Sequence, residues 1–118
     1  MLTLVVLGAW LFAVPVSAAV VPVSLAANLQ GANQVPKGSG DPDGSGRAYV
    51  NVAPGKVCYT IRVQNIKLPA TEAHIHKGAK GVNGNVVVTF KPPDQSGITG
   101  GCTAVKPALS KQIQNNPA

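Results

Sequence analysis

Short apolar runs separated by turn-forming residues constrain this chain more than any other feature of its sequence. The runs are about as long as single β-strands, and glycine and proline clusters divide them at intervals of about 8–12 residues. The chain has 13 glycines and 10 prolines among its 118 residues, a composition that excludes a long-helix or coiled-coil protein. This spacing is typical of antiparallel sandwiches and barrels. The sequence therefore predicts one small all-β domain.

The segment Lys56–Gln64 (KVCYTIRVQ) has the clearest strand pattern. Alternate side chains of a strand point to opposite faces, so its large apolar residues share one face. Cys58 belongs to the other face, and any bridge that it forms is expected to leave the main apolar face. The apolar set consists of Val57, Tyr59, Ile61 and Val63.

Other strands and turns are less regular. Pro54 and Gly55 lie between two strand-like runs and predict a hairpin. Ser96–Thr103 is rich in glycine and fits either a strand or a turn. Lys106–Ala118 predicts one short helix, with Pro107 suited to its first position. We expect the remaining strands within Val20–Gln30, Arg47–Val52, Glu72–Lys77 and Val86–Phe90.

The first 19 residues have the pattern of an export signal. Residues 2–14 are apolar, Pro15 interrupts them, and small residues suited to signal-peptidase cleavage follow. The apolar run is shorter than the roughly 20 residues that a membrane helix needs. We therefore expect residues 1–19 to be removed and residues 20–118 to form a secreted, periplasmic or cell-surface domain, with no stable membrane span after cleavage. An uncleaved N-terminal anchor or a buried first strand is the alternative.

The expected domain is basic. It carries all ten basic and all four acidic residues of the chain, giving a net charge of +6, and the pI of the whole chain is about 9.7. The basic residues are scattered singly, and aromatic residues are not interleaved with them, so a specific nucleic-acid partner is not expected. Two interpretations stay open: a solvated basic surface, or weak binding of polyanions.

The chain has two cysteines, Cys58 and Cys102, which are separated by 43 residues. An even pair in an exported protein predicts a disulfide. Closing a loop of this length stabilises a fold by about 3–4 kcal/mol in the chain-entropy model. The spacing excludes a zinc ribbon and a thioredoxin-type redox site, because both need a CxxC pair.

His74 and His76 are the candidate metal ligands. Residues two apart on a strand lie on the same face, and two neighbouring imidazoles suit copper or zinc. Two ligands are fewer than the four of a structural zinc site or the usual three of a catalytic one, so no cofactor is firmly implied. A hydrogen-bonded structural or surface pair is the alternative. Further ligands could come from the four acidic residues, but their spacing is not typical of a metal site. These residues are Asp41, Asp43, Glu72 and Asp94.

Sequence motifs for catalysis are lacking. The chain contains no GxSxG, GxGxxG or P-loop pattern, and no catalytic residue is predicted. The segment Asp41–Gly44 matches only the start of a calcium loop. Ser45 and Val52 occupy the fifth and twelfth positions, where the loop pattern has Asp or Asn and Glu. We interpret it as a polar turn. The sequence thus favours a protein that is not an enzyme.

Four features in order resemble the CHRD (chordin) domain family in its bacterial single-domain form. Together they cover about Ala26–Ala118. They are Leu29–Pro36, similar to "L-x-G-x-x-E-V-P"; Val57–Ile61, similar to "L-C-Y-x-I/L"; Ala73–Gly78 with Gly84–Val88, similar to "A-H-I-H-x-G … G-x-V-V-V"; and Cys102 with the terminal Asn116–Ala118.

The resemblance implies an immunoglobulin-like or superoxide-dismutase-like Greek-key β-sandwich. It implies an exported, non-enzymatic binding or structural module whose partner is an unknown protein or matrix ligand. The alternative is a copper- or zinc-binding protein related to superoxide dismutases, with His74 and His76 as ligands. Gln34 stands where the family has Glu. The family continues beyond Asn-Pro with further strands and a third histidine, so we expect a domain truncated at its C-terminus.

Overall fold

The computed structural model describes residues 22–117; the predicted export signal lies outside this range. The described chain is mostly β, with one C-terminal helix that is too short to cross a membrane. Its elements are β1 (Val23–Gln30), a 3-10 turn (Gly31–Asn33), β2 (Ser45–Ala53), β3 (Lys56–Gln64), β4 (His74–Lys77), β5 (Asn85–Thr89), β6 (Ile98–Ala104) and α1 (Pro107–Asn115).

The strands form two antiparallel sheets. The larger sheet has the order β1-β2-β3-β6, and the smaller one pairs β4 with β5. The chain leaves the larger sheet after β3, forms the smaller sheet, and returns to place β6 beside β3. The prediction of a mostly β domain with one short C-terminal helix is therefore confirmed.

The β2–β3 hairpin agrees with the sequence pattern. Strand β3 has the predicted bounds, and Ala53 pairs with Lys56 across the two-residue turn. Gly55 occupies this turn with φ of +74°, a conformation that favours glycine. Local turn chemistry thus accounts for this part of the register.

The glycine-rich segment before the helix is a strand. Gly100 and Gly101 in β6 lie opposite Thr60 and Tyr59 in β3. Glycine weakens a strand in isolation, which is why the sequence pattern was compatible with a turn as well. Pairing with the complete strand β3 decides the conformation, and this contact is not local in sequence.

The core forms between the inner face of the larger sheet and the smaller sheet. Tyr59 and Phe90 stack with their ring centroids 4.1 Å apart. The Tyr59 hydroxyl accepts a hydrogen bond of 3.0 Å from the Lys91 amide, which satisfies its polar end. The predicted alternation of β3 is confirmed, since three of its inward side chains are buried. The buried apolar residues are Ala48, Val52, Val57, Tyr59, Ile61, Val88 and Phe90.

A buried serine fixes α1 against the hairpin. Ser110, only 1 % exposed, donates a 2.8 Å hydrogen bond to the Pro107 carbonyl and accepts one of 3.2 Å from the Gly55 amide. Gln114 donates a 2.7 Å hydrogen bond to the Val52 carbonyl. The helix also adds two half-buried side chains to the core, Leu109 and Ile113.

Candidate functional site

Strand β4 brings the two histidines together. The ring centroids of His74 and His76 are 5.7 Å apart, and the rings are almost perpendicular. A register shift between Ile75 and His76 interrupts the pairing of β4 with β5 at this point. The predicted proximity of the two imidazoles is therefore present in the fold, on a short strand with a local irregularity.

A backbone hydrogen bond orients the His76 ring. Its Nδ1 lies 2.8 Å from the Gly84 carbonyl, which can only accept, so Nδ1 carries the proton. The lone pair is then on Nε2, which is free to bind a metal ion. Gly84 itself is sterically required, because a Cβ at this position would lie 1.7 Å from the Lys77 carbonyl oxygen.

His74 faces a carboxylate. Its Nδ1 lies 3.9 Å from Glu72 Oε2, beyond hydrogen-bond distance. The His74 side chain is 20 % exposed, whereas that of Glu72 is 73 % exposed, so solvent screens the pair strongly. Glu72 is the acidic residue that the fold places beside the histidines.

The other acidic residues have separate local roles. Asp41 accepts a 3.2 Å hydrogen bond from the Lys67 amide, and Gly44 closes the predicted polar turn on the Asp41 carbonyl. Asp94 accepts hydrogen bonds from the side chain and amide of Ser96, which lower the pKa of its carboxyl. Between residues 22 and 117, no three His, Cys, Asp or Glu side chains cluster closely enough to hold a metal ion.

The histidine strand borders an open cleft between the two sheets. The cleft has a volume of about 1330 Å³. It is lined by side chains from both sheets and the helix, among them Leu25 and Leu29 of β1, Ile75 of β4 and Ile113 of α1. The sequence pattern contained no signal for this cleft, because it depends on how the two sheets pack.

The predicted disulfide between Cys58 and Cys102 is present. The two cysteines occupy directly opposite positions in β3 and β6, with their Cα atoms 3.9 Å apart. Cys58 is half-buried and Cys102 is exposed. The bridge lies on the outer face of the larger sheet, away from the core, as the alternation of β3 predicted.

The outer face of the larger sheet also holds residues that sequence reasoning missed. Arg47 in β2 and Arg62 in β3 are directly opposite each other, although 14 residues separate them in the sequence. Both lie at outward positions of their strands. Strand alternation was the sequence pattern that could have indicated these outward positions. Only the register shows that the two positions coincide.

These features define a disulfide-bonded, mostly β domain with a pair of histidines beside its cleft. The model of the CHRD domain family matches residues 25–117, and the chain therefore belongs to this family. No curated protein and no solved structure matches the chain significantly.

Proposed function

We propose that this CHRD domain is exported and acts as a non-enzymatic binding or structural module for a protein or matrix ligand. The observation that carries the proposal is the Cys58–Cys102 disulfide. Such bridges persist in oxidising compartments and are rare in the cytosol. The bridge joins β6, an edge strand, to its neighbour β3, and so stabilises a four-stranded surface on which a ligand can bind.

The proposed export and disulfide are tested together. The complete chain is expressed in a host with a secretory pathway, and the exported protein is analysed by mass spectrometry. We expect an N-terminus near Val20 and thiols that react with iodoacetamide in denaturant only after reduction. Retention of residues 1–19, or two thiols that react without reduction in correctly exported protein, would contradict the proposal.

The architecture within this proposal is the immunoglobulin-like or superoxide-dismutase-like Greek-key sandwich of the bacterial single-domain type. Packing supports it, because Val88 of β5 and Phe90, which directly follows β5, share one core with Val57 and Tyr59 of the larger sheet.

Copper or zinc binding at His74 and His76 is the second candidate function. It is favoured by the hydrogen bond from His76 Nδ1 to the Gly84 carbonyl, which leaves Nε2 as a metal ligand. The His74 ring lies beside it on the same short strand. In this alternative the domain resembles superoxide dismutases in binding a metal at paired histidines.

Metal titration of protein purified without an affinity tag separates the two candidates. For the binding-module function, we expect no stoichiometric copper or zinc and unchanged metal content in His74→Ala. Metal binding instead predicts one ion per chain, lost in both His74→Ala and His76→Ala. Glu72→Gln is the matched control, because it removes the neighbouring charge and keeps both imidazoles. Stoichiometric metal binding that depends on both histidines would therefore contradict the binding-module function and support metal binding.

A further inference from the structure

The charged residues on the outer face of the larger sheet are all basic. The four strands of this sheet contain three charged residues, Arg47, Lys56 and Arg62. All three are exposed and alternate with inward, buried positions such as Ala48, Val57 and Ile61. The four acidic residues of the chain all lie outside these strands. The strands that form this face therefore carry positive charge and no acidic residue.

Two of these basic residues occupy neighbouring positions in the sheet. Arg47 and Arg62 occupy directly opposite positions of β2 and β3. The Cβ atoms of opposite residues in an antiparallel pair are about 4.5–5.5 Å apart, and like charges there are unfavourable. Neither arginine forms an ion pair with the described residues. An external anion would relieve this repulsion and could accept hydrogen bonds from both guanidinium groups.

Contacts with β1 and with Tyr49 hold the Arg47 guanidinium group in place on this face. Its Nη1 donates a 2.9 Å hydrogen bond to Asn28 Oδ1, and its Cζ lies 5.5 Å from the centroid of the Tyr49 ring. The hydrogen bond uses one of the five N–H donors of the guanidinium, so donors are left for an anion. Contacts that hold a side chain before binding reduce the entropy lost on binding.

Tyr49 provides an aromatic surface beside the arginines. It is 51 % exposed, which is high for a large aromatic residue. Its neighbours across the sheet are small: Ala26 on one side and Thr60 on the other, with Gly100 next to Thr60. The Arg47 guanidinium lies over the ring, and the rest of the exposed ring surface is available to a flat ligand. Thr60 also lines a shallow pocket of about 390 Å³ with Lys91, Ser96 and Asp94.

We propose that this outer face binds an anionic polysaccharide, with Arg47 and Arg62 contacting its sulfate or carboxylate groups and Tyr49 stacking on a sugar ring. The inference rests on the proposed function as an exported binding module and specifies its matrix ligand. A polysaccharide fits better than a nucleic acid, because single-stranded nucleic acids are bound by several aromatic residues that stack successive bases. This face has one exposed aromatic residue, Tyr49.

The test measures binding of a heparin oligosaccharide of defined length to the exported, oxidised protein by calorimetry. We expect Arg47→Ala/Arg62→Ala to weaken binding by about tenfold or more at low salt. The matched control is Lys80→Ala/Lys111→Ala, which removes the same charge from exposed positions outside the larger sheet. This control is expected to change affinity by about twofold or less. Tyr49→Ala should weaken binding several-fold, and Tyr49→Phe should retain it.

Three results would overturn the proposal. The first is no binding at low salt by a protein whose disulfide and thermal transition are intact. The second is an equal loss in the arginine and lysine variants, which would assign the interaction to net charge alone. The third is equally tight, arginine-dependent binding of single-stranded DNA. Export and the state of the thiols are measured separately, so failure of glycan binding is distinguishable from failure of the proposed function.

Discussion

Phe90→Ala is expected to destabilise the domain by about 3–5 kcal/mol. Phe90 is 6 % exposed, and its ring stacks on Tyr59. The residue follows β5, and its amide donates a 2.8 Å hydrogen bond to the Ala73 carbonyl just before β4. Truncation would therefore leave a cavity where the smaller sheet meets the core. Domains of this size have a total stability of only about 5–15 kcal/mol.

Urea unfolding of the oxidised protein, monitored by far-ultraviolet circular dichroism, measures this effect. Tyr49→Ala is the matched aromatic control, because Tyr49 is 51 % exposed and its loss should change stability by about 1 kcal/mol or less. Phe90→Leu, which keeps most of the apolar volume, should cost less than about 1.5 kcal/mol. If Phe90→Ala cost no more than Tyr49→Ala, the two sheets would not share one core in solution.

Cys58→Ser/Cys102→Ser is expected to lower the free energy of unfolding by about 3–4 kcal/mol. The bridge closes a loop with a sequence separation of 44, and its loss frees the unfolded chain from this constraint. Edge strand β6 would then depend on its hydrogen bonds to β3 and on its packing. We expect its amides to lose protection from hydrogen exchange before those of β2 and β3.

Reduction provides the control for this variant. A phosphine reductant should lower the stability of the wild-type protein by a similar amount and leave the double serine variant unchanged. Because the bridge lies on the outer face, the substitution creates no cavity in the core. A double variant as stable as the oxidised protein would contradict the prediction, because the bridge would then add no net stability.

Local patterns predicted the elements whose chemistry is contained in a few neighbouring residues. The alternation of Lys56–Gln64 specified both β3 and its buried face, and Pro54-Gly55 specified the hairpin. Pro107 and the apolar residues of the last segment specified the helix. The helix contact through Ser110 was not predictable, since its hydrogen-bond partner Gly55 is 55 residues away.

The candidate sites also depend partly on local sequence patterns and partly on the tertiary structure. The HxH spacing predicted that His74 and His76 share a surface, but the role of Gly84 in orienting His76 depends on the turn between β4 and β5. The scattered basic residues gave no indication of a site. The register of β2 and β3 then places Arg47 opposite Arg62, beside Tyr49.

The sequence by itself determined a small β-rich chain, its clearest strand, its hairpin turn, its single short helix and the identity of its disulfide partners. These follow from strand alternation, from turn chemistry and from there being only two cysteines. The tertiary structure decided that the glycine-rich segment 98–104 is a strand, that the bridge joins opposite residues of β3 and β6, and which cations become neighbours. Strand order and register arise from burying whole sheet faces together, and no local pattern contains that information.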